Sequence, residues 1–360
     1  MLLSSRPRLV LATAATAAAA ALTLTSCTSR EETPAAPSSG GGPAASAQSA
    51  APAADGCTLA KTGYPKVDLK TAVVGFSQSE KEANPFRIAE TQSIRDEAAK
   101  LGIGKLLVTN AQSDLNRQIS DIKSLLDRGA QLLVVAPLNS DGLQPALDAA
   151  KAKKVPVVTV DRKVTSQPCG DYLTFIGSNF VEQGKRAAQA MAKATGGTGK
   201  VVILLGSSGN NVTTDRTQGF KDELAKTPGL SVVAEQTGEF DRSKGQSVME
   251  QLVQSHPDIT AVYAENDEMG IGAVNALKTA GKSPGKDVKV VSIDGTRNAV
   301  QLIVDGSYNA VIESNPRFGP LAFQTLQKFE NGEPIPASIV ITDDQYDETN
   351  AAQKVGNSYK

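Results

Sequence analysis

Apolar residues recur along the chain in short runs that alternate with longer segments of helical spacing. The short runs are rich in Val, Ile and Leu and lack polar alternation, which is typical of strands buried on both faces of a parallel sheet. Eight such strands are predicted, at residues 73–77, 132–137, 155–161, 173–177, 201–206, 261–266, 290–294 and 309–314.

Helical spacing between these runs is clearest after residue 114. Leu115, Ile119 and Ile122 are four and three residues apart and therefore fall on one helix face. Ile94 and Ala98 belong to a similar stripe. Strand and helix alternate over about 290 residues, which predicts an α/β protein with parallel sheets. This length favours two sheets in two lobes over a single sheet.

The start of the chain predicts export. Arg6 and Arg8 precede an apolar stretch at 9–24, which is shorter than the roughly 20 residues that a membrane-spanning helix needs. The following Leu-Thr-Ser-Cys resembles the lipobox of bacterial lipoproteins, in which the cysteine is acylated and the peptide is cut just before it. We therefore predict a signal peptide with lipobox at 1–26 and a lipid on Cys27. The alternative is a plain secretory signal with an incidental cysteine.

A low-complexity segment follows the cysteine. Residues 28–55 are almost wholly Ala, Pro, Ser, Gly, Thr and Gln. This composition cannot form a core, so we predict a flexible tether over 27–56. Together with a lipid on Cys27, the tether predicts a protein anchored to the outer face of the bacterial cell membrane.

Two further cysteines remain, Cys57 and Cys169. An exported protein folds in an oxidising compartment, and an even number of cysteines there favours a disulfide. We predict a Cys57–Cys169 disulfide that attaches the end of the tether to the folded body. Two free thiols remain the alternative, since the sequence does not show that the residues are close.

Polar residues follow several of the predicted strands directly. They are Ser77-Gln78, Asp161-Arg162, Asn266-Asp267 and Asp294. Ligands of open α/β sheets bind beyond the carboxyl ends of the strands. Carboxylates and amides form the paired hydrogen bonds that sugar hydroxyls offer, and Arg adds a rigid fork of donors. Asp and Asn are also common turn residues, so any single one could have only a local role.

Charge and composition exclude several functions. The 37 Lys and Arg balance 38 Asp and Glu without a dense basic cluster, which argues against nucleic-acid binding. One His and three Cys are too few for a Cys/His zinc site, and no cofactor is predicted. His256 has no nucleophile or orienting acid in its local motif, so we expect an exposed loop residue there.

Six motifs carry a resemblance to a known family. In order along the chain they are 83–87 (ANPFR), 160–162 (VDR), 215–220 (DRTQGF), 240–245 (FDRSKG), 266–269 (NDEM) and 293–296 (IDGT). They resemble the periplasmic sugar-binding proteins of the ribose type, which are the receptors of sugar ABC transporters. The galactofuranose-binding branch is more similar, through 75–78 (GFSQ), 86–91 (FRIAET), 283–287 (SPGKD) and Glu313.

The resemblance implies a fold of two doubly wound parallel-sheet α/β lobes with three hinge crossings, the type I periplasmic binding protein fold. We expect an N-terminal lobe of residues 57–176 plus 315–341, and a C-terminal lobe of 177–314 plus 342–360. The sugar would lie between the lobes, which would close around it.

The resemblance also implies a set of sugar-binding residues. They are Asn84, Phe86, Arg87, Glu90, Asp161, Arg162, Arg216, Phe240, Asn266, Asp294 and Glu313. Phe86 and Phe240 would sandwich the ring, and Asp161–Arg162 and Asp294–Arg216 are the expected ion pairs.

Three positions depart from the family. Ser314 stands where the ribose receptor has a Gln near the last crossing. Arg87 stands where the ribose receptor has a second Phe, and Phe86 stands where the galactofuranose receptor has Trp. The identity of the sugar therefore stays open.

The function implied is that of a monomeric solute-binding lipoprotein, which captures a monosaccharide and delivers it to the permease of an ABC importer. A receptor that signals to a membrane sensor remains an alternative. A glycosidase that uses Asp161, Asp294 or Glu313 as a carboxylate pair is a further one. A sugar-dependent regulator is disfavoured, because a signal peptide and tether occupy the place of a DNA-binding domain.

Overall fold

Two parallel β-sheets organise the chain in a computed structural model, which describes residues 42–51 and 56–360. The first sheet has the order β1-β12-β6-β5-β4-β2-β3. Its strands are β1 (Ala47–Ala51), β2 (Val73–Gln78), β3 (Lys105–Asn110), β4 (Leu132–Val135), β5 (Val157–Val160), β6 (Thr174–Gly177) and β12 (Ser338–Ile341). All neighbours in this sheet are parallel except β1 and β12.

The second sheet has the order β13-β11-β10-β9-β7-β8. Its strands are β7 (Gly199–Leu205), β8 (Leu230–Thr237), β9 (Ala261–Ala264), β10 (Lys289–Asp294), β11 (Ala310–Glu313) and β13 (Gln345–Asp347). Only β13 runs antiparallel to its neighbour. Each of the eight predicted strands corresponds to a strand in one of the two sheets.

Helices connect the strands along the described chain. They are α1 (Leu59–Thr62), α2 (Pro85–Leu101), α3 (Leu115–Asp127), α4 (Gln144–Ala152), α5 (Phe180–Thr195), α6 (Asn211–Leu224), α7 (Arg242–Ser255), α8 (Asp267–Thr279), α9 (Arg297–Val304), α10 (Gly319–Glu330) and α11 (Ala351–Lys354).

The first sheet is buried on both faces, as β4 shows. Its side chains alternate between two apolar clusters: Leu132 packs with Ile94 of α2 on one face, and Leu133 packs with Ile122 of α3 on the other. Burial on both faces explains why this strand is apolar throughout.

The chain passes between the sheets three times. The crossings follow β6, β11 and β12, and lead to α5, α10 and β13. The predicted fold class, two parallel-sheet lobes, is therefore confirmed. In both lobes the carboxyl ends of the parallel strands lead into the loops that carry the polar residues singled out above.

The strand β1 corrects the tether prediction. Ala47–Ala51 lies within the segment predicted to be flexible, but it pairs antiparallel with Ser338–Ile341 at the edge of the first sheet. The tether prediction is wrong for these residues, because edge pairing satisfies their backbone groups. The predicted signal peptide, the lipid site at Cys27 and residues 28–41 of the tether lie outside the described residues.

The predicted disulfide is present. Cys57 and Cys169 are bonded, with Cα atoms 5.4 Å apart. Cys57 also exchanges backbone hydrogen bonds of 2.8 and 2.9 Å with Ile335. The disulfide and this bridge both attach the start of the folded body to the first lobe. Within residues 42–51 and 56–360, no helix is long and apolar enough to cross a membrane.

Candidate binding site

A cavity lies between the two lobes, at the carboxyl ends of their strands, and has an empty volume of about 320 Å³. Residues from both lobes line it: Glu80, Asn84, Phe86, Arg87, Asp161, Arg162, Val212, Arg216, Phe240, Asn266 and Asp294. Most of these side chains are buried although they are polar, which is typical of a site that encloses a small polar ligand.

The loop between β2 and α2 supplies the first part of the site. Asn84 caps α2, since its Oδ1 accepts a 2.9 Å hydrogen bond from the Phe86 N–H. Pro85 fixes the first helical position. This start places Phe86 and Arg87 in the first turn of α2, directly beside the cavity.

Arg87 is the centre of a charged cluster. Its NH1 lies 2.8 Å from both Asp161 Oδ2 and Glu90 Oε2, and its Nε donates to Glu80 Oε2 at 3.1 Å. Burial raises the pKa of Glu90 to about 7, although Arg87 acts in the opposite direction. Burial would also raise the pKa of Glu80, but Arg162 and Arg87 outweigh it and lower that pKa to about 2.

Arg162 completes this half of the site. Its NH2 donates to Glu80 Oε1 at 2.6 Å, and its NH1 donates to the Leu138 carbonyl at 2.8 Å. Its Nε lies 3.6 Å from Asp161 Oδ2, and this buried donor has no hydrogen-bond acceptor among the described residues. A fixed guanidinium with one unused N–H beside the cavity is suited to a ligand hydroxyl.

In the opposite half of the site, the central charged residue is Arg216 of α6. Its Nε donates to Gln183 Oε1 of α5 at 3.0 Å, and its NH2 lies 3.7 Å from Asp294 Oδ1. Helices α5 and α6 approach closely through glycines: a Cβ at Gly184 would lie 2.1 Å from the Arg216 carbonyl oxygen, and one at Gly219 would meet α5 backbone at 2.0 Å. The two glycines at the contact between α5 and α6 therefore set the position of Arg216.

Phe240 and Asn266 are held together. Asn266 caps α8 by accepting the Met269 N–H at 3.0 Å, and its Nδ2 donates to the Phe240 carbonyl at 3.1 Å. The Phe240 ring lies over Gly206, where a Cβ would come within 2.0 Å of the ring. The residue directly after β7, Gly206, must therefore be glycine if the Phe240 ring is to face the cavity.

Three residues that line the cavity have a strained backbone. Asp161, Phe240 and Asp294 have φ values of 66°, 59° and 146°, which residues other than Gly rarely adopt. The Asp294 turn is held by Asp267, whose Oδ2 accepts the Gly295 N–H at 3.0 Å. Strained residues that the surrounding structure fixes are typical of functional sites.

The structure brings nine of the eleven predicted site residues to the cavity, and both expected ion pairs, Asp161–Arg162 and Asp294–Arg216, are within 4 Å. The nine are Asn84, Phe86, Arg87, Asp161, Arg162, Arg216, Phe240, Asn266 and Asp294.

Two predicted residues do not line the cavity. Glu90 lies behind Arg87 and accepts hydrogen bonds from Arg87 and Gln78. Glu313 accepts from the Tyr346 hydroxyl at 3.1 Å and the Asp344 N–H at 2.9 Å. These partners hold both carboxylates outside the cavity lining, where Glu90 supports Arg87, and a sugar contact of Glu90 or Glu313 stays a prediction.

Sequence reasoning missed two lining residues, Glu80 and Val212. Glu80 follows β2 by two residues, just past the predicted strand-end residue Gln78. The signal that could have identified Glu80 is therefore its position just after the first predicted strand. Val212 carries no signal of this kind.

Residues 74–334 match the family described as periplasmic binding protein domain. The chain belongs to this family.

Its relatives include sugar receptors. A galactofuranose-binding protein from Escherichia coli is 34% identical over 75% of this chain and 85% of its own length. A ribose import binding protein from Salmonella typhimurium is 36% identical over 72% of this chain and 85% of its own length. A solved structure from Mycobacterium smegmatis, in complex with β-D-fucofuranose, is 37% identical with a TM-score of 0.76, and the match covers 79% of this chain and 94% of that one.

These findings confirm the resemblance to sugar-binding proteins of ABC transporters. The relatives are transport proteins and not enzymes, so the glycosidase interpretation is dropped. Membership of this family also implies an exported protein.

Proposed function

We propose that this protein is the solute-binding component of a sugar ABC importer, and that it encloses one neutral monosaccharide, in furanose form, between its lobes. The observation that carries this proposal is the cavity, where charged side chains from two lobes are buried and paired with one another. Such a lining offers many hydrogen bonds at no net charge.

The charge balance favours a neutral ligand. The cavity lining includes three guanidinium groups and three carboxylates, so its formal net charge is zero. Each group is held by an opposite charge, so a neutral ligand can bind without leaving a charge unpaired. A sugar that lacks one hydroxyl would leave a buried partner unsatisfied, which gives strong selectivity. Phe86 and Phe240 supply the apolar surfaces that we propose cover the ring.

The furanose form is supported by the relatives. One is named for galactofuranose and another was solved with β-D-fucofuranose. These two sugars have the same ring configuration and differ only in the hydroxyl at C6. We propose a ligand of this configuration. Ribose is the second candidate, because a ribose import protein is similarly related.

Arg87 weighs against ribose. It occupies the position of an aromatic residue in the ribose receptor, and here it forms ion pairs with Asp161, Glu80 and Glu90. A charged, fixed guanidinium would offer hydrogen bonds where the ribose receptor offers a ring face.

The mechanism we propose is hinge closure, in which a sugar contacts both lobes at once and so favours the closed state. Asp343 in the third crossing accepts hydrogen bonds from Ser178 in the first crossing at 3.1 Å and from Gln183 at 2.8 Å. Gln183 in turn accepts from Arg216. This chain of contacts joins the hinge to a cavity residue.

The partner and the location complete the proposal. We propose delivery to a membrane permease, attachment through lipid on Cys27, and a monomeric receptor that requires no cofactor. Signalling to a membrane sensor is the alternative use of the same closed form, since both uses need a ligand-dependent closure.

A calorimetric screen of the mature protein tests the function. The sugars are D-galactose, D-fucose, L-arabinose, D-ribose, D-xylose and D-glucose. We expect saturable one-to-one binding, tightest for D-galactose or D-fucose. Tightest binding of ribose would select the second candidate, and no binding of any sugar would overturn the proposal.

A further inference from the structure

Glu80 lies at the boundary between the enclosed cavity and the wider groove outside it. It lines both spaces, and its side chain is 16% exposed. Residues 81–83, which follow it, are exposed. The carboxylate is therefore the outermost charged group of the cluster around Arg87.

Both oxygens of this carboxylate are engaged by cavity arginines. Oε1 accepts from Arg162 NH2 at 2.6 Å, and Oε2 accepts from Arg87 Nε at 3.1 Å. Two arginines that converge on one carboxylate form a binding site for an anion. In this protein a residue of its own chain fills that site.

One further donor atom of each arginine is held by other groups of the chain. Arg87 NH1 is used by Asp161 and Glu90, and Arg162 NH1 by the Leu138 carbonyl. Glu80 thus takes one donor atom of each guanidinium, and an incoming carboxylate would have to compete with it to contact both arginines at once. An anionic ligand would also meet the negative charge of Glu80 itself at the cavity mouth.

We infer that Glu80 is a specificity-determining residue: it acts as an internal carboxylate that occupies the two arginines and thereby excludes acidic sugars, such as uronic acids, from a site suited to neutral ones. This inference rests on the proposed function. It adds that a single side chain, that of Glu80, restricts the ligands of the site to neutral sugars.

The first test compares D-galactose with D-galacturonate, which carries a carboxylate at C6. Calorimetric titrations use the wild type and Glu80→Gln, which keeps the size of the side chain and removes its charge. We expect the affinity ratio of galacturonate to galactose to rise about tenfold or more in the variant. The matched control is Glu82→Gln, an exposed carboxylate on the same loop, which should leave the ratio unchanged.

The second test does not depend on how a sugar acid is oriented. Glu80→Ala removes the carboxylate, and the loss of this shared partner of Arg87 and Arg162 should weaken galactose binding about tenfold. Added sodium formate should restore that affinity at least threefold, whereas sodium chloride at the same ionic strength should not. Formate should have no such effect on the wild type.

The outcomes separate the two claims. Wild-type binding of a neutral sugar with both effects at Glu80 supports the inference. Neutral sugar binding with an unchanged ratio in Glu80→Gln and no formate rescue of Glu80→Ala overturns the inference and leaves the proposed function standing. A wild type that binds galacturonate better than galactose overturns both.

Discussion

The two lobes hold their buried carboxylates in different ways, as Glu80 in the cavity lining and Glu265 next to the lining residue Asn266 show. In the N-terminal lobe Glu80 is bound by Arg87 and Arg162, which lower its pKa to about 2. In the C-terminal lobe Glu265 accepts hydrogen bonds from the neutral Gly206 N–H and Thr217 hydroxyl, and burial raises its pKa to about 7. One half is fixed by charge, the other by neutral donors.

The contrast extends to the residues that would touch the sugar. Arg87 and Asp161 form a close ion pair at 2.8 Å, whereas Arg216 and Asp294 are 3.7 Å apart. Asp294 is positioned instead by its backbone turn. We infer that the N-terminal half is organised before the sugar arrives, and that the C-terminal half completes its polar contacts on the sugar when the lobes close.

The largest expected effect follows from breaking the charged half. Asp161→Ala removes a carboxylate shared by Arg87 and Arg162, so both buried guanidinium groups lose a partner and the cavity loses an acceptor for a sugar hydroxyl. We expect sugar affinity to fall by about a hundredfold or more. Calorimetry measures it, with Asp96→Ala on the exposed face of α2 as the control. Wild-type affinity in Asp161→Ala would show that the cavity is not the sugar site.

The next effect concerns the neutral half. Asn266→Ala removes a lining amide and also the cap of α8, so binding and stability should both decrease. The lost cap should lower the free energy of unfolding by about 1 kcal/mol.

A matched variant separates the two losses. Asp114→Ala removes the cap of α3 away from the cavity, and it should lower the melting temperature similarly while sugar binding is kept. If both variants kept full affinity, Asn266 would be a structural residue only.

Protonation at the hinge should change stability, and not sugar contacts, with a defined sign. Asp343 is held by neutral donors, and burial raises its pKa from 3.8 to about 6. A group whose folded pKa is raised favours folding as pH falls, so the wild type should gain stability relative to Asp343→Asn between pH 6 and pH 4. The expected gain is about 2 kcal/mol, measured by denaturant unfolding at both pH values. The contribution of Glu80 to stability should change in the opposite direction. Its pKa is lowered in the folded protein, so this contribution is lost as pH falls from 4.5 through about 2. An Asp343→Asn curve parallel to that of the wild type would contradict this assignment.

The smallest effect is expected at Glu313. Its carboxylate contacts Tyr346 and Asp344 and not the cavity, so Glu313→Gln should change sugar affinity by less than about twofold. Thermal unfolding serves as a control for folding. A large loss of affinity without a loss of stability would return Glu313 to the site.

Much of the fold could be predicted because the buried strands are continuously apolar. Two of the strands that were missed, β3 and β8, lie at the sheet edges and have partly exposed, more polar side chains. Their sequences therefore lack the signal of burial on two faces. The strand β1 was missed for another reason: its Ala-rich sequence has no apolar pattern, and only its pairing with β12 makes it a strand.

The site was predictable where a residue ends a strand or lies within a family motif, as Asp161, Asn266 and Asp294 do. Motifs give a position in the chain but not the direction of a side chain. Glu90 and Glu313 therefore lie outside the cavity lining, where tertiary partners hold their carboxylates. Glu80 was missed because the conformation of its loop decides that it reaches two arginines.

The central claim, that a neutral sugar is enclosed in furanose form, is tested most directly by ¹³C NMR of D-[1-¹³C]galactose with the wild type and Asp161→Ala. We predict a saturable bound C1 signal at furanose chemical shift with the wild type and none with the variant. A bound signal at pyranose shift, or one that persists in Asp161→Ala, would contradict the account.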